Sequence, residues 1–224
     1  MNPQFWITAW EEGRTNFHQA SYHEKLTEFF PKLVPRAGDN VLVPLCGKSK
    51  DMLYLHGLGL NVHGVELYQQ AVEDFFGENK LLPVQKAHED EFEQYTYKNI
   101  LISCGDLFKL EKDRAFDFVY DRASLVALPP EMRKSYAEVI KRSLKPGGKC
   151  LLIAYEYDQS KLSGPPFSVT TEEIHELYSN RFSIKLLESK ESTKEGLRLS
   201  SLECLKQTVY VLEKLSDVEM EVLK

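Results

Sequence analysis

The sequence lacks any apolar run that approaches the roughly 20 residues needed to span a membrane as a helix. Residues 1–6 (MNPQFW) carry neither the basic stretch nor the apolar core of a secretory signal peptide. We therefore expect a cytoplasmic protein without a membrane partner.

Positive charge is in short supply. The 28 Lys and Arg residues are outnumbered by 34 Asp and Glu residues, which gives a net charge of −6 and a pI near 5.6. A nucleic-acid-binding protein needs a basic face to displace counterions from phosphates, and an anionic membrane surface makes a similar demand. The composition argues against both partners, and we expect a small-molecule partner.

Cysteine is also sparse. Cys46, Cys104, Cys150 and Cys204 are widely spaced, and no CxxC pair is present. A zinc cluster or a dithiol redox motif requires closer spacing. We predict no metal site, and we expect reduced and mostly buried thiols, as is usual in the cytosol.

Short apolar runs alternate with helical patterns along the chain, and no linker or repeat divides it. This order predicts one α/β domain over residues 1–224, with a doubly wound, mostly parallel, seven-stranded sheet and an antiparallel last strand. The predicted strands are residues 41–45, 61–66, 100–104, 116–120, 150–155, 182–190 and 205–214. The predicted helices include residues 18–34, 51–57 and 170–180, and residues 85–99 receive no assignment.

In a sheet of this kind, ligands bind beyond the carboxyl ends of the strands. The first strand leads into Gly47, and the second ends at Glu66, nineteen positions later, where a carboxylate accepts hydrogen bonds from a ribose diol in dinucleotide-binding folds. The third strand ends at Gly105 and Asp106, where an adenine ring fits. The fourth ends at Asp121 and Arg122, and we expect both pairs to face the same crevice.

The phosphate-binding loops that accompany such a carboxylate are missing. Residues 44–47 supply one glycine, so the GxGxxG fingerprint is absent, and Leu42 stands where a Walker A loop ending at Gly47-Lys48-Ser49 needs glycine. A ribose-binding acid without a phosphate cradle favours a nucleoside cofactor that carries no phosphate. S-adenosylmethionine is the common example, and a nicotinamide oxidoreductase is disfavoured.

Each candidate residue also has a structural interpretation. Glu66 is also read as a solvated carboxylate at a strand end, Asp106 as the cap of a turn, and Arg122 as the ion-pair partner of Asp121 or Asp117. The aromatic side chains of Trp6, Trp10 and Phe17 are also read as the core of an N-terminal helix, and His18 as a structural histidine.

Several segments resemble the thiopurine S-methyltransferase family in the right order over nearly the whole chain. The strings PLCGK and GPPF are unusual, which makes the resemblance specific. The matching segments are Trp6, Trp10, Gly13, residues 17–19, 43–49, 65–67, 121–128 and 164–167.

The resemblance implies a class I methyltransferase with S-adenosylmethionine as cofactor and a small thiol as substrate. It implies an N-terminal helical lid over residues 1–35, with Leu45 on the methionine portion and Glu66 on the ribose. The implied cofactor-binding residues are Trp6, Trp10, Phe17, Leu45, Glu66, Gly105, Asp106 and Arg122. The implied substrate-binding residues are Phe17, Arg122, Pro166 and Phe167, and the implied catalytic residues are Arg122 and Asp121.

The resemblance is weaker where it concerns the methyl acceptor. Tyr120 replaces a tryptophan found in some members, and residues 191–201 match poorly, which leaves Arg198 a doubtful acceptor contact. Methylation of selenium, tellurium or other small nucleophiles for detoxification is an alternative to thiol methylation. A non-catalytic nucleoside-binding module is an alternative of another class. We expect a monomer, because no long apolar surface helix stands out.

Overall fold

Strands and helices alternate along most of the chain, as the apolar runs predict. The structure, a computed structural model, describes residues 3–15, 17–83, 85–89, 91–191 and 205–222. The chain divides into two units, residues 1–111 and residues 112–224. Arg198 and Cys204 lie outside the described residues.

The described part of residues 1–111 contains five strands and four α-helices. The strands are β1 (Asn40–Pro44), β2 (Asn61–Glu66), β3 (Gln85–Glu89), β4 (Phe92–Tyr97) and β5 (Ile100–Cys104). The helices are α1 (Pro3–Glu11), α2 (Glu24–Phe29), α3 (Asp51–Gly57) and α4 (Gln69–Glu78). The strands are ordered β3-β4-β5-β2-β1.

The three central strands of this unit, β1, β2 and β5, are parallel, so their carboxyl ends lie at one edge. Their side chains are almost fully buried: Val41, Leu42, Val62, Ile100 and Ile102 are at most 1% exposed. A strand buried on both faces reads as a continuous apolar run, which explains why all three were predictable.

The strand count from sequence is corrected here. Strands β3 and β4 form an antiparallel hairpin in the region left unassigned, and β4 also pairs antiparallel with β5. The described residues therefore contain nine strands where seven were predicted. In β4, Phe92 and Tyr95 are the buried residues, a spacing of three that hides the period-two pattern of a strand.

Within residues 112–224, the described ranges contain four strands and three α-helices. The strands are β6 (Phe116–Arg122), β7 (Leu144–Glu156), β8 (Phe182–Glu191) and β9 (Lys206–Lys214). The helices are α5 (Pro130–Ser143), α6 (Thr171–Tyr178) and α7 (Asp217–Val222). The order is β6-β7-β9-β8, with β6 parallel to β7. Strand β9 is antiparallel to both β7 and β8, which confirms the predicted direction of the last strand.

Two local predictions about helix ends can be checked directly. The helix predicted over residues 18–34 is shorter: α2 passes into a 3₁₀ helix, Phe30–Leu33, at the point where Pro31 interrupts the pattern. The helix predicted over residues 170–180 begins as expected, because the hydroxyl of its N-cap residue Thr170 accepts a hydrogen bond from the amide of Glu173 at 3.2 Å. No helix among the described residues combines the length and apolar character needed to cross a bilayer.

Candidate functional site

Glu66 links the carboxyl ends of three strands in residues 1–111. Its Oε2 accepts a hydrogen bond from the amide of Gly47 at 2.8 Å, in the loop that follows β1. Its Oε1 accepts one from the amide of Tyr68 at 2.8 Å, and its backbone carbonyl accepts one from the amide of Gly105, beyond β5, at 2.8 Å. The side chain is 7% exposed. Glu66 therefore joins the loop after β1 through its carboxylate and Gly105, one of the residues predicted to lie against the adenine, through its backbone.

The environment of Glu66 shapes its ionisation. Burial raises the pKa of the Glu66 carboxyl above its usual value, and the hydrogen bonds from the Tyr68 and Gly47 amides oppose that shift. A carboxylate has about four lone-pair sites, so after accepting two amides it retains the capacity to accept two hydroxyl donors. This donor and acceptor balance fits the vicinal hydroxyls of a ribose.

The loop after β1 is not built as a phosphate cradle. In a phosphate loop the backbone amides point at the ligand, whereas the Gly47 amide donates to Glu66. Lys48 is tied to α4 through Asp74 at 3.5 Å and Glu78 at 2.5 Å, and the Ser49 hydroxyl accepts from the amide of Asp51. The absence of a Walker A function inferred from Leu42 therefore agrees with the geometry.

Aromatic side chains from the N-terminal segment pack on this loop. The ring of Trp10 stacks on that of Tyr68 at a centroid distance of 6.2 Å and meets Phe17 edge to face at 5.4 Å. Phe17 also contacts Trp6 at 6.0 Å. Gly47 has a φ of +50°, and a Cβ at this position would lie 3.0 Å from the ring of Trp10. Helix α1 thus packs on the loop predicted to bind the cofactor, which is the position that a lid over the cofactor would occupy. The lid function stays a prediction.

The remaining candidates in residues 1–111 occupy the same strand ends. Leu45 follows β1 in a left-handed conformation with a φ of +45°, and it is half-buried. Asp106 caps a 3₁₀ turn, Leu107–Lys109, by accepting a hydrogen bond from the amide of Phe108 at 3.0 Å. The structural interpretation of Asp106 as a cap is therefore correct, and its contact with an adenine stays a prediction.

Asp121 and Arg122 end strand β6 in residues 112–224, but their environments differ. Asp121 is 1% exposed, and its carboxylate accepts from the Tyr136 hydroxyl at 2.7 Å and from the Leu125 amide at 3.1 Å. Burial raises the pKa of Asp121 to about 6, against the lowering effect of these hydrogen bonds. Arg122 is half-buried. Asp121 thus holds the turn that follows Arg122.

The segment 164–167 is fixed in the same unit by two hydrogen bonds. The Phe167 amide donates to the Val126 carbonyl at 2.6 Å, and the Tyr157 hydroxyl donates to the Pro166 carbonyl at 2.6 Å. Gly164 has a φ of +73°, and a Cβ there would lie 2.5 Å from the Phe167 ring. Pro166 and Phe167 are half-buried, so both remain partly open to a ligand.

Three described cysteines are free thiols: Cys46, Cys104 and Cys150. Cys46 lies between Leu45 and Gly47 and is buried. Burial, assisted by the charge of Glu66, raises the pKa of the Cys46 thiol well above its usual value, and burial raises the pKa of Cys104 to about 11. No group of three or more metal-ligating side chains comes together in the part of the chain that the structure describes.

Two residues that matter to the geometry escaped the sequence analysis. Tyr68 supplies both an amide to Glu66 and a ring to Trp10, and its signal was an aromatic residue two positions after the predicted ribose acid. Arg133 is 1% exposed in α5. It lies three positions before the buried Tyr136, on the same face of the helix, and a charge among apolar residues at helical spacing is the signal that was available.

Comparison with known proteins agrees with this geometry. The family model for thiopurine S-methyltransferase (TPMT) matches residues 1–215. A thiopurine S-methyltransferase of Nitrosospira multiformis is 40% identical over 216 residues, covering 95% of this chain and 98% of the relative. That of Bordetella pertussis is 44% identical over 194 residues, covering 85% of this chain and 88% of the relative.

Solved structures agree on the fold. The 1,6-didemethyltoxoflavin-N1-methyltransferase of Burkholderia thailandensis, with S-adenosylhomocysteine bound, superimposes with a TM-score of 0.65 at 16% identity. The match covers 96% of this chain and 87% of that one. These matches confirm the predicted α/β methyltransferase fold and the S-adenosylmethionine dependence. The chain belongs to the thiopurine S-methyltransferase family.

Proposed function

We propose that this chain transfers a methyl group from S-adenosylmethionine to the sulfur of aromatic or heterocyclic thiols, thiopurines among them. The observation that carries the proposal is the Glu66 cluster, found in a member of this family. A buried carboxylate accepts two backbone amides at 2.8 Å beside a loop with one glycine. This arrangement suits a ribose and offers no cradle for phosphate.

The residues of the cofactor site then have distinct roles. Glu66 accepts hydrogen bonds from the ribose hydroxyls, Leu45 contacts the methionine portion, and Gly105 and Asp106 lie against the adenine. The side chains of Trp6, Trp10 and Phe17 exclude water from the cofactor. The packing of Trp10 on Tyr68 and Phe17 supports that role, because a lid needs a fixed surface to close on.

We propose Arg122, Pro166 and Phe167 as residues of the acceptor site. When bound, S-adenosylmethionine supplies a methyl group on a positively charged sulfur, which makes the methyl carbon an electrophile. The acceptor thiol loses its proton to water, and its thiolate bonds to the methyl carbon as the sulfonium C–S bond breaks, giving a thioether and S-adenosylhomocysteine. The Arg122 guanidinium stabilises the thiolate, and an aromatic wall favours a step in which opposite charges are neutralised.

Asp121 acts in this proposal by positioning. Its two carboxylate oxygens are occupied by Tyr136 and by the Leu125 amide, so it fixes the turn that carries Arg122. Aromatic thiols ionise readily near neutral pH, and a strong general base is therefore not required. Alignment of the sulfur about 3–3.5 Å from the methyl carbon is the main contribution of the protein.

A methyl-transfer screen tests the proposal. Purified protein with S-adenosylmethionine is offered aromatic thiols, thiopurines, and oxyanions of selenium and tellurium, and product formation is followed by mass spectrometry. We expect the aromatic thiols and thiopurines to be methylated with the highest kcat/KM. Methylation of selenium or tellurium alone would overturn the acceptor, and binding of S-adenosylhomocysteine without any transfer would favour a nucleoside-binding module.

The same proposal extends to the compartment, the partner and the oligomeric state of the protein. The three described cysteines are unpaired, which supports a reducing compartment and hence the cytoplasm. The acidic composition supports a small-molecule partner rather than nucleic acid. We expect a monomer, which sedimentation velocity tests directly.

A further inference from the structure

Arg133 is a buried cation in α5 whose contacts all lie within residues 112–224. The side chain is 1% exposed. Its Nε donates to the Leu128 carbonyl at 2.9 Å, and its Nη1 donates to Glu173 Oε2 at 2.5 Å. Its Nη2 is buried and has no hydrogen-bond partner among the described residues. An arginine is almost never buried to this extent unless it is paired, so its position calls for an explanation.

The contacts of Arg133 join three segments that the proposed function uses. Leu128 ends the 3₁₀ turn that follows Asp121 and Arg122, and Glu173 lies in the first turn of α6. The guanidinium carbon also lies 6.0 Å from the centroid of the Phe167 ring, at the outer limit of a cation–π contact. One side chain therefore touches the turn after β6, the start of α6 and the aromatic wall of the acceptor site.

The backbone of the acceptor wall is held by other residues. Phe167 is tied to Val126 through its amide, and Pro166 is tied to Tyr157 through its carbonyl. These bonds fix where the chain runs, but on the acceptor wall they involve only backbone atoms, so the orientation of the Phe167 ring depends on other contacts. Gly164 closes one side of that ring, since even a Cβ would lie 2.5 Å away. Arg133 contacts the ring from α5.

The chemistry of the guanidinium explains why an arginine is used. Its planar fork points two donors in fixed directions, so it can serve Leu128 and Glu173 at once, whereas a lysine offers one point charge on a flexible stem. A buried ion pair of this kind adds little stability compared with a well-packed apolar pair, and its best-attested use is to specify one arrangement. In this protein, the arrangement that the ion pair would specify is the orientation of the Phe167 ring.

We propose that Arg133 is a positioning residue that sets the orientation of the Phe167 ring and so makes the acceptor site selective for flat aromatic thiols. The inference rests on the proposed function for its substrate class. Glu173 takes part in the same positioning, because its carboxylate accepts a hydrogen bond from Nη1 of the guanidinium.

The test compares R133K and E173Q with R142K as the matched control. Arg142 is an exposed arginine of the same helix, so R142K makes the same chemical change without touching the acceptor wall. For each variant we measure the Kd of S-adenosylhomocysteine by calorimetry, and KM and kcat for an aromatic thiol and for a small aliphatic thiol. Hydrogen exchange of the peptides covering residues 164–169 and α5 is followed by mass spectrometry.

In R133K we expect the KM for the aromatic thiol to rise about tenfold, the size of effect that a misfit in a pocket produces. The KM for the aliphatic thiol, the Kd of S-adenosylhomocysteine and the exchange of α5 should change less than twofold. Exchange of residues 164–169 should become faster. E173Q retains a hydrogen-bond acceptor and should show a smaller change in the same direction, and R142K should match the parent protein.

Two results would overturn the inference. One is an unchanged KM and unchanged exchange over residues 164–169 in a folded R133K. The other is a uniform rise in exchange across α5 and the segment 164–169 together, which indicates a purely structural arginine. If the parent protein methylates no thiol at all, the proposed function fails, and the exchange data still decide whether Arg133 positions the segment.

Discussion

Glu66 joins three segments of the proposed cofactor site through hydrogen bonds. It binds the Gly47 and Tyr68 amides through its side chain and the Gly105 amide through its backbone. Its position was predictable because a carboxylate about twenty residues beyond a glycine turn has a recognised role. The amide bonds were not predictable, since they depend on how the loops after β1 and β2 bend toward each other.

Replacement of Glu66 by Gln tests the ribose contact. The amide keeps the shape and one acceptor oxygen but loses the charge, and hydrogen bonds to a charged group contribute about 1.5–3 kcal/mol. We expect the affinity for S-adenosylhomocysteine to fall by about 10–100-fold in calorimetry. E111Q, the same change at an exposed position, is the control. Unaltered affinity in E66Q would refute the ribose role.

Asp121 gives a prediction about pH. Burial raises its pKa to about 6 in the folded protein, from 3.8 in the unfolded chain. Between these values the folded state binds more protons, so stability from this group is highest at acid pH and is lost as the pH rises through 6. The full shift corresponds to about 3 kcal/mol, of which about 2 kcal/mol is lost between pH 4 and pH 7, because the unfolded carboxyl is already partly ionised at pH 4.

Replacement of Asp121 by Asn removes this titration while keeping an acceptor for the Leu125 amide. The free energy of unfolding of parent and D121N should be compared in urea at pH 4 and pH 7. We expect the parent's advantage over D121N to shrink by about 2 kcal/mol at the higher pH. A constant difference across this range would mean that Asp121 is not the titrating group.

At the scale of elements, helix α1 packs so closely on the loop after β1 that Gly47 leaves little room for a side chain. A methyl group on Gly47 would lie 3.0 Å from the ring of Trp10, and the residue has a φ of +50°. G47A therefore combines backbone strain of about 1–2 kcal/mol with displacement of Trp10. We expect acrylamide quenching of tryptophan fluorescence to increase and affinity for S-adenosylhomocysteine to fall.

The control for G47A lies in the same segment. Gly13 has a φ of +68°, and a Cβ there meets nothing within 4 Å. G13A imposes similar backbone strain without contact to the aromatic rings. Increased quenching in both variants would point to strain alone, whereas an increase confined to G47A would support closure of α1 on the loop.

The elements divide into those that sequence reveals and those it hides. Strands β1, β2 and β5 are continuous apolar runs because both faces are covered, and α5 shows its buried face at Tyr136 and Ile140. The β3–β4 hairpin was missed because its residues are mostly polar, so neither a continuous apolar run nor a regular alternation marks its strands. Arg133 was missed for a different reason, since its partner Glu173 is 40 positions away.

At the scale of the whole molecule, the prediction of one domain over residues 1–224 has a calorimetric test. A single domain unfolds in one cooperative transition. Because the cofactor candidates other than Arg122 lie in residues 1–111, independent units would give two transitions of which one responds to S-adenosylhomocysteine. We expect a single transition that moves as a whole.

The size of that shift follows from linkage. Ligand at 100 times its Kd stabilises the folded state by about 2.7 kcal/mol, which raises the melting temperature of a chain of this length by about 5–10 °C. E66Q at the same ligand concentration should shift less. Two transitions in the scan, or a shift that E66Q retains in full, would contradict the expectation.

The free thiols of this chain have a consequence for an enzyme that alkylates sulfur. Cys46 and Cys150 are buried, and Cys104 has a pKa raised to about 11, so all three stay protonated at neutral pH. Since the thiolate is the reactive form, these side chains are poor nucleophiles. The three described thiols are therefore protected from alkylation by the methyl donor, which leaves the donor to the thiols that the enzyme is proposed to methylate.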